Sequence, residues 1–243
     1  MNAQGTIHRQ PLLTQGQLRD LRRFHEVGRA WCRRQELTVG IRHDMALWAR
    51  HMDTAPCADG VNPTFDPKCG PAAGNESFWI EVRDATGLTV GCVAARVFRN
   101  VDLRWLLESM RLWFDPLPAA LTGQEGPRLL LRADLSGDTC HFGGLWVHPD
   151  RRGGLLAGLL VRLARAHAVE RFGPMLETSI SFRELALRPS FAAGHAFQHV
   201  VPCLEGHFPP TRRVELIYLN YSPAGHLEEI LPATIALFSA AGS

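Results

Sequence analysis

Apolar residues recur every three or four positions through Leu18, Leu21, Phe24, Val27 and Trp31, behind a Thr14-x-x-Gln17 pair. That spacing predicts an amphipathic helix opened by a capping box. Ile41, Met45, Trp48 and Met52 continue at helical spacing, and Thr54 to Asn75, rich in Pro and Gly, reads as a long functional loop or flap. The period then changes. Ser77 to Arg83 and Leu88 to Phe98 read as a strand pair joined by Asp84-Ala85-Thr86-Gly87. Asn100 to Phe114 returns to helical spacing with Leu103, Leu107, Met110 and Trp113 on one side. Arg128 to Ala133 is a short candidate strand. Cys140 to Val147 reads as a strand stopped at His148-Pro149-Asp150 and followed by a helix from Leu155 to Arg171. Met175 to Phe182 is the next strand, Arg188 to His195 a short helix, and Gln198 to Cys203 and Arg213 to Asn220 two more strands. Ser222-Pro223 suits the N-cap and first position of a terminal helix.

This order predicts a mixed α/β (α+β) fold with a central sheet of about seven strands flanked by helices. It divides the chain into an N-terminal helical segment and loop (1–76), a core (77–222) with an insertion over 100–138, and a C-terminal helix or tail (223–243).

Composition narrows the function. The chain has 243 residues, 46% of them hydrophobic, and a formal charge of +2. The near balance excludes a generic polyanion binder, so nucleic acid is not the expected partner. Lys68 is the only lysine among the 26 Lys and Arg residues, leaving 25 arginines, which suit bidentate anion contacts wherever position allows. No apolar run is long enough to cross a bilayer, and Met1 to Gln10 lacks a signal-peptide core, so the expectation is a cytoplasmic protein. The 6 cysteines form no C-x-x-C pair; His51, Cys57 and Cys69 share one loop without regular ligand spacing, and no metal is expected.

The segment that carries chemistry is a strand, Pro149, Arg151-Arg152-Gly153-Gly154, then an apolar helix. Unpaired N–H groups at a helix N-terminus hold anions, glycines let a phosphate approach them, and an arginine adds a charged clamp. No G-K-[ST] and no G-x-G-x-x-G is present, so neither the P-loop nor the dinucleotide fingerprint applies.

Leu145-Trp146-Val147-His148-Pro149-Asp150-Arg151-Arg152-Gly153-Gly154-Leu155-Leu156-Ala157 resembles the signature of the GCN5-related N-acetyltransferases: a strand ending V-x-P, two residues, then R-G-x-G-[IL]-[GA]. Arg152, Gly153 and Ala157 match, while Leu155 stands where the middle glycine is usual. The order of elements from Ser77 to Tyr221 agrees, and Ala196-Phe197 stands where many members carry Gly-Phe. The resemblance implies an acyl-CoA-dependent N-acyltransferase, with acetyl-CoA as the expected co-substrate and a small-molecule amine or other acyl acceptor attacking the thioester directly. It implies that the backbones of Leu145, Trp146 and Val147 pair with the pantetheine arm and that Arg152, Gly153, Gly154, Leu155, Leu156 and Ala157 hold the pyrophosphate. The cleft would open between the strands at Val147 and at Thr178.

Direct attack needs a group to take the amine proton and one to protonate the thiolate. The tyrosine frequent in the family falls at Ala192 here, and Tyr218 and Tyr221 are the only tyrosines of the chain. His141 and Glu177 are the candidates for proton transfer, His141 because imidazole titrates near neutrality. Two alternatives stay open: an acyltransferase similar to the acyl-homoserine-lactone synthases, using acyl-carrier protein, and a non-catalytic cofactor-binding sensor. The acceptor and the oligomeric state are not legible at this level.

Overall fold

The computed structural model describes residues 13–70 and 76–241. The signal-peptide reading of Met1 to Gln10 lies outside them. Helix α1 (Gln15–Arg34) opens as its capping box requires: the Gln17 N–H donates to Thr14 Oγ1 and the Thr14 N–H to Gln17 Oε1. Leu21, Phe24 and Trp31 are buried, each adding about 1.5–3 kcal/mol of burial free energy. Next come β1 (Thr38–Arg42), α2 (Met45–Thr54), β2 (Ser77–Arg83), β3 (Thr89–Asp102) and α3 (Leu103–Glu108). The chain continues with β4 (Arg128–Leu129), β5 (Ser136–Val147), α4 (Leu156–Phe172) and β6 (Leu176–Phe182). It ends with α5 (Arg183–Ala186), α6 (Pro189–His195), β7 (His199–Phe208), β8 (Arg213–Pro223) and α7 (His226–Ala240).

The strands form one eight-stranded sheet in the order β1-β2-β3-β5-β6-β8-β7-β4. Only β5 and β6 run parallel, as a strand–helix–strand crossover through α4 requires. One face carries the main core, where Phe78, Ile80, Val93, Cys140 and Phe142 pack against α1, α4 and α7. The other face is covered in two parts. Trp48 and Met52 of α2 and Phe65 cover Trp79, Cys92, Ala94 and Trp146, while α3 and the segment after it cover Leu176, Leu204, Ile217 and Leu219.

Three boundaries differ from the sequence reading, each for a tertiary reason. Ile41 lies in β1, not in a helix, because Thr38–Arg42 pairs antiparallel with β2, Ile41 opposite Ile80. The helix expected over Asn100 to Phe114 shrinks to α3. Strand β3 holds on to β5 as far as Asp102↔Ser136, and the Asp102 side chain then caps the helix. Ser222-Pro223 ends β8 and does not open a helix: the buried Ser222 Oγ accepts from the Gln198 N–H at 2.9 Å, and α7 starts behind Gly225.

Candidate functional site

Strands β5 and β6 pair from Thr139↔Leu176 to Phe142↔Ser179 and no further. Yet β5 runs on to Val147 and β6 to Phe182. The parallel pair therefore parts at its carboxyl ends, leaving Gly143 to Val147 unpaired on the β6 side. A register shift against β3 between Gly143 and Trp146, with Gly144 at φ 55°, marks a bulge that turns β5 out of the ladder. Crevices at the carboxyl ends of strands are where open α/β sheets bind ligands.

The loop that follows stands over this opening. The His148 N–H donates to Val90 O, the Arg151 N–H to His148 O and the Arg152 N–H to Pro149 O, so the turn is built from its own backbone. Gly153 takes φ 83°, a left-handed conformation that suits glycine. The first bond of α4 is Leu159 N–H to Leu155 O, which leaves the N–H groups of 153–158 without a protein acceptor among the described residues. A Cβ added to Gly153 or Gly154 would meet nothing within 4 Å. Leu155, the departure from the signature, turns its side chain onto the main core and so leaves the N–H groups open.

Arg152 has a different local task from a free clamp. Its Nε donates to Val147 O at 3.0 Å and one terminal nitrogen to Cys57 O at 3.3 Å, tying the strand end to the loop after α2. Trp146 adds a second tie, Nε1 to Pro56 O at 3.0 Å. Cys57 is exposed, and among the described residues no three His, Cys, Asp or Glu side chains come together as a metal site.

His141 and Glu177 lie below the apex of the opening, on opposite faces of the sheet, and are not brought together. His141 is 1% exposed, its Nδ1 is 2.9 Å from Thr178 Oγ1, and its ring stacks on Phe65. Burial, and then the Arg96 charge opposite it in register, push its pKa down to about 3. A neutral imidazole with so low a pKa is a poor base. Glu177 accepts from Arg165 at 2.8 Å, with both side chains buried. Arg165 also donates to Ala196 O and His195 O and lies over the Phe197 ring, while Arg162 donates to Gly158 O and Gly194 O. These two arginines hold the last carbonyls of α6 against α4, as cations near a helix C-terminus do. Ala196 itself sits at φ 54°, the conformation a glycine would take most easily.

Sequence reasoning missed three features. Arg162 and Arg165 are one; their signal was two charges three apart inside an apolar helical run. The second is a polar row across the sheet, Arg96, His141, Thr178, Tyr221 and His199, aligned by strand register. Thr178 thus sits in the closed part of the sheet, and the opening lies two residues later. The third is a buried trio on the α4 face, in which the Asn220 amide donates to Ser179 Oγ and to Ser181 Oγ, each at 3.0 Å. No short motif announces either of the last two, because β5, β6 and β8 meet only in the sheet. A separate concavity of about 230 Å³ lies at the other end of α4, lined by His25, Arg29, His167 and Glu170 among others.

The class these elements define is a mixed α/β fold whose one parallel strand pair splays beside a glycine-rich helix entry. No family profile matches the sequence and no curated protein resembles it. Among solved structures, Arabidopsis thaliana NAA60 in complex with a bisubstrate analogue superposes with a TM-score of 0.46 at 13% identity. That alignment covers 78% of this chain and 99% of the other. BjaI, a CoA-dependent acyl-homoserine lactone synthase with SAM and isopentyl-CoA, gives 0.41 at 13% identity over 92% of this chain and 85% of its own. Spermidine N-acetyltransferase from Vibrio cholerae gives 0.44 at 11% identity, covering 78% and 94%. No helix among the described residues is long and apolar enough to cross a membrane.

Proposed function

We propose that this chain is a divergent GCN5-related acyltransferase that takes an acyl group from acyl-CoA and transfers it to an amine. One observation carries the reading: the parallel strands part directly beside a loop whose N–H groups at 153–158 have no protein acceptor among the described residues. The residues fit the donor. Gly153 and Gly154 leave room for a pyrophosphate, Leu155 is turned away, and the amide edge of Gly143 to Val147 is free to pair with a pantetheine arm as a sheet edge does. Acyl-CoA supplies the activated thioester. The protein holds it so that the carbonyl lies at the apex, near Gly143, where an amine can reach it in a fixed orientation. Arg152 serves this arrangement by holding the strand end and the Cys57 loop in place.

A second reading, a cofactor-binding module without turnover, is favoured by one observation. His141 is buried and neutral and Glu177 is locked in an ion pair, so neither titratable group near the apex is poised to take a proton. Calorimetry with free CoA tests the binding common to both readings, and the absence of binding refutes both. Thiol release from acetyl-CoA across a panel of primary amines separates them: turnover with any amine supports the transferase, and saturable binding without thiol release supports the module.

A further inference from the structure

We infer that Phe65 and Trp48 restrict the donor to short acyl chains, closing the only outlet that the sheet itself leaves at the apex of the opening. This rests on the acyl-CoA reading and deepens it to a donor class.

A thioester lying between β5 and β6 ends where their pairing begins, at Phe142↔Ser179. A longer acyl chain cannot continue in the plane of the sheet, so it must leave by one of the two faces. On the α4 face the buried side chains of Phe142, Ser179 and Asn220 block the way, the last two bonded to each other. On the other face Gly143 and Gly144 present no side chain, and two successive glycines there would form a natural outlet. That outlet is filled. A Cβ on Gly143 would stand 2.7 Å from the Phe65 ring, and one on Gly144 would collide with the edge of Trp48. Phe65 is 3% exposed and Trp48 0%, and the rings meet edge to face at 5.6 Å. The wall is also backed. Phe65 stacks on His141, and Arg96 donates to Thr64 O at 3.2 Å, holding the turn that carries Phe65. A close-packed interior of this kind gives way little to added methylenes.

The test is calorimetry on the full chain with free CoA, acetyl-CoA and octanoyl-CoA, repeated on Phe65→Ala and on the milder Phe65→Leu. Acetyl-CoA is expected to bind at least about tenfold more tightly than octanoyl-CoA to the wild type. Phe65→Ala should shrink that ratio to about threefold or less, with Phe65→Leu between the two. Octanoyl-CoA binding as tightly as acetyl-CoA to the wild type overturns the inference while leaving the acyl-CoA reading intact. An unchanged ratio in a folded Phe65 variant also overturns it. If Phe65→Ala fails to fold, the wild-type ratio and Phe65→Leu decide the matter. Failure of free CoA to bind refutes the acyl-CoA reading, and this inference with it.

Discussion

Replacing Glu177 by Gln separates the two roles open to this side chain. In the structure it faces Arg165 at 2.8 Å with both groups buried, and Arg165 carries the end of α6 through Ala196 O and His195 O. The amide still accepts one hydrogen bond, but it leaves a buried guanidinium charge unbalanced. Removing one partner of a buried pair costs about 3–5 kcal/mol, and the retained bond puts Glu177→Gln near about 3. For a chain of this size that lowers the melting temperature by about 6–12 °C. A cycle sharpens the test. Arg165→Met alone orphans the carboxylate and two carbonyls, and Arg165→Met with Glu177→Leu removes both charges. The double variant should be less destabilised than the sum of the singles by about 1–3 kcal/mol, measured by urea unfolding. Additive costs, or a Glu177→Gln protein that melts with the wild type while losing transferase turnover, would refute the structural role and return Glu177 to the chemistry.

Gly144→Ala should destabilise by about 1–3 kcal/mol, because the residue sits at φ 55° and its Cβ would overlap Trp48; an unchanged melting curve would count against the bulge. Gly154→Glu, in open space, should leave the melting curve in place and weaken CoA binding at least about tenfold by setting a carboxylate among the N–H groups. Arg152→Ala should weaken CoA binding where Arg22→Ala does not, and equal effects would deny Arg152 a place in the loop. Stability should fall as the pH drops from about 6.5 toward 3. Burial lowers His141 to about 3 and His167 and His195 to about 4, so over that window the unfolded chain binds more protons than the folded one. His141→Gln should flatten part of that limb in urea titrations at stepped pH, and an unchanged slope would show that His141 is not buried as a neutral ring.

The sequence by itself determined what periodicity and local chemistry control. The amphipathic α1 with its capping box, the strand–turn–strand of β2 and β3, and the β5–loop–α4 unit with Gly153 and Gly154 are all local patterns, because caps, turns and alternation act over a few residues. It also pointed to the anion-binding loop, since glycines ahead of an apolar helix act through their own backbone. Only the tertiary structure decided where pairing stops. The splay after Phe142↔Ser179 and the strand character of Thr38–Arg42 depend on partners far away in the chain, which no short-range period encodes. The same holds for the histidine and the glutamate. A polar residue on a strand looks alike from sequence whether it meets solvent, Thr178 or Arg165, and the low-dielectric surroundings that neutralise His141 and pair Glu177 exist only after β5, β6 and α4 have come together.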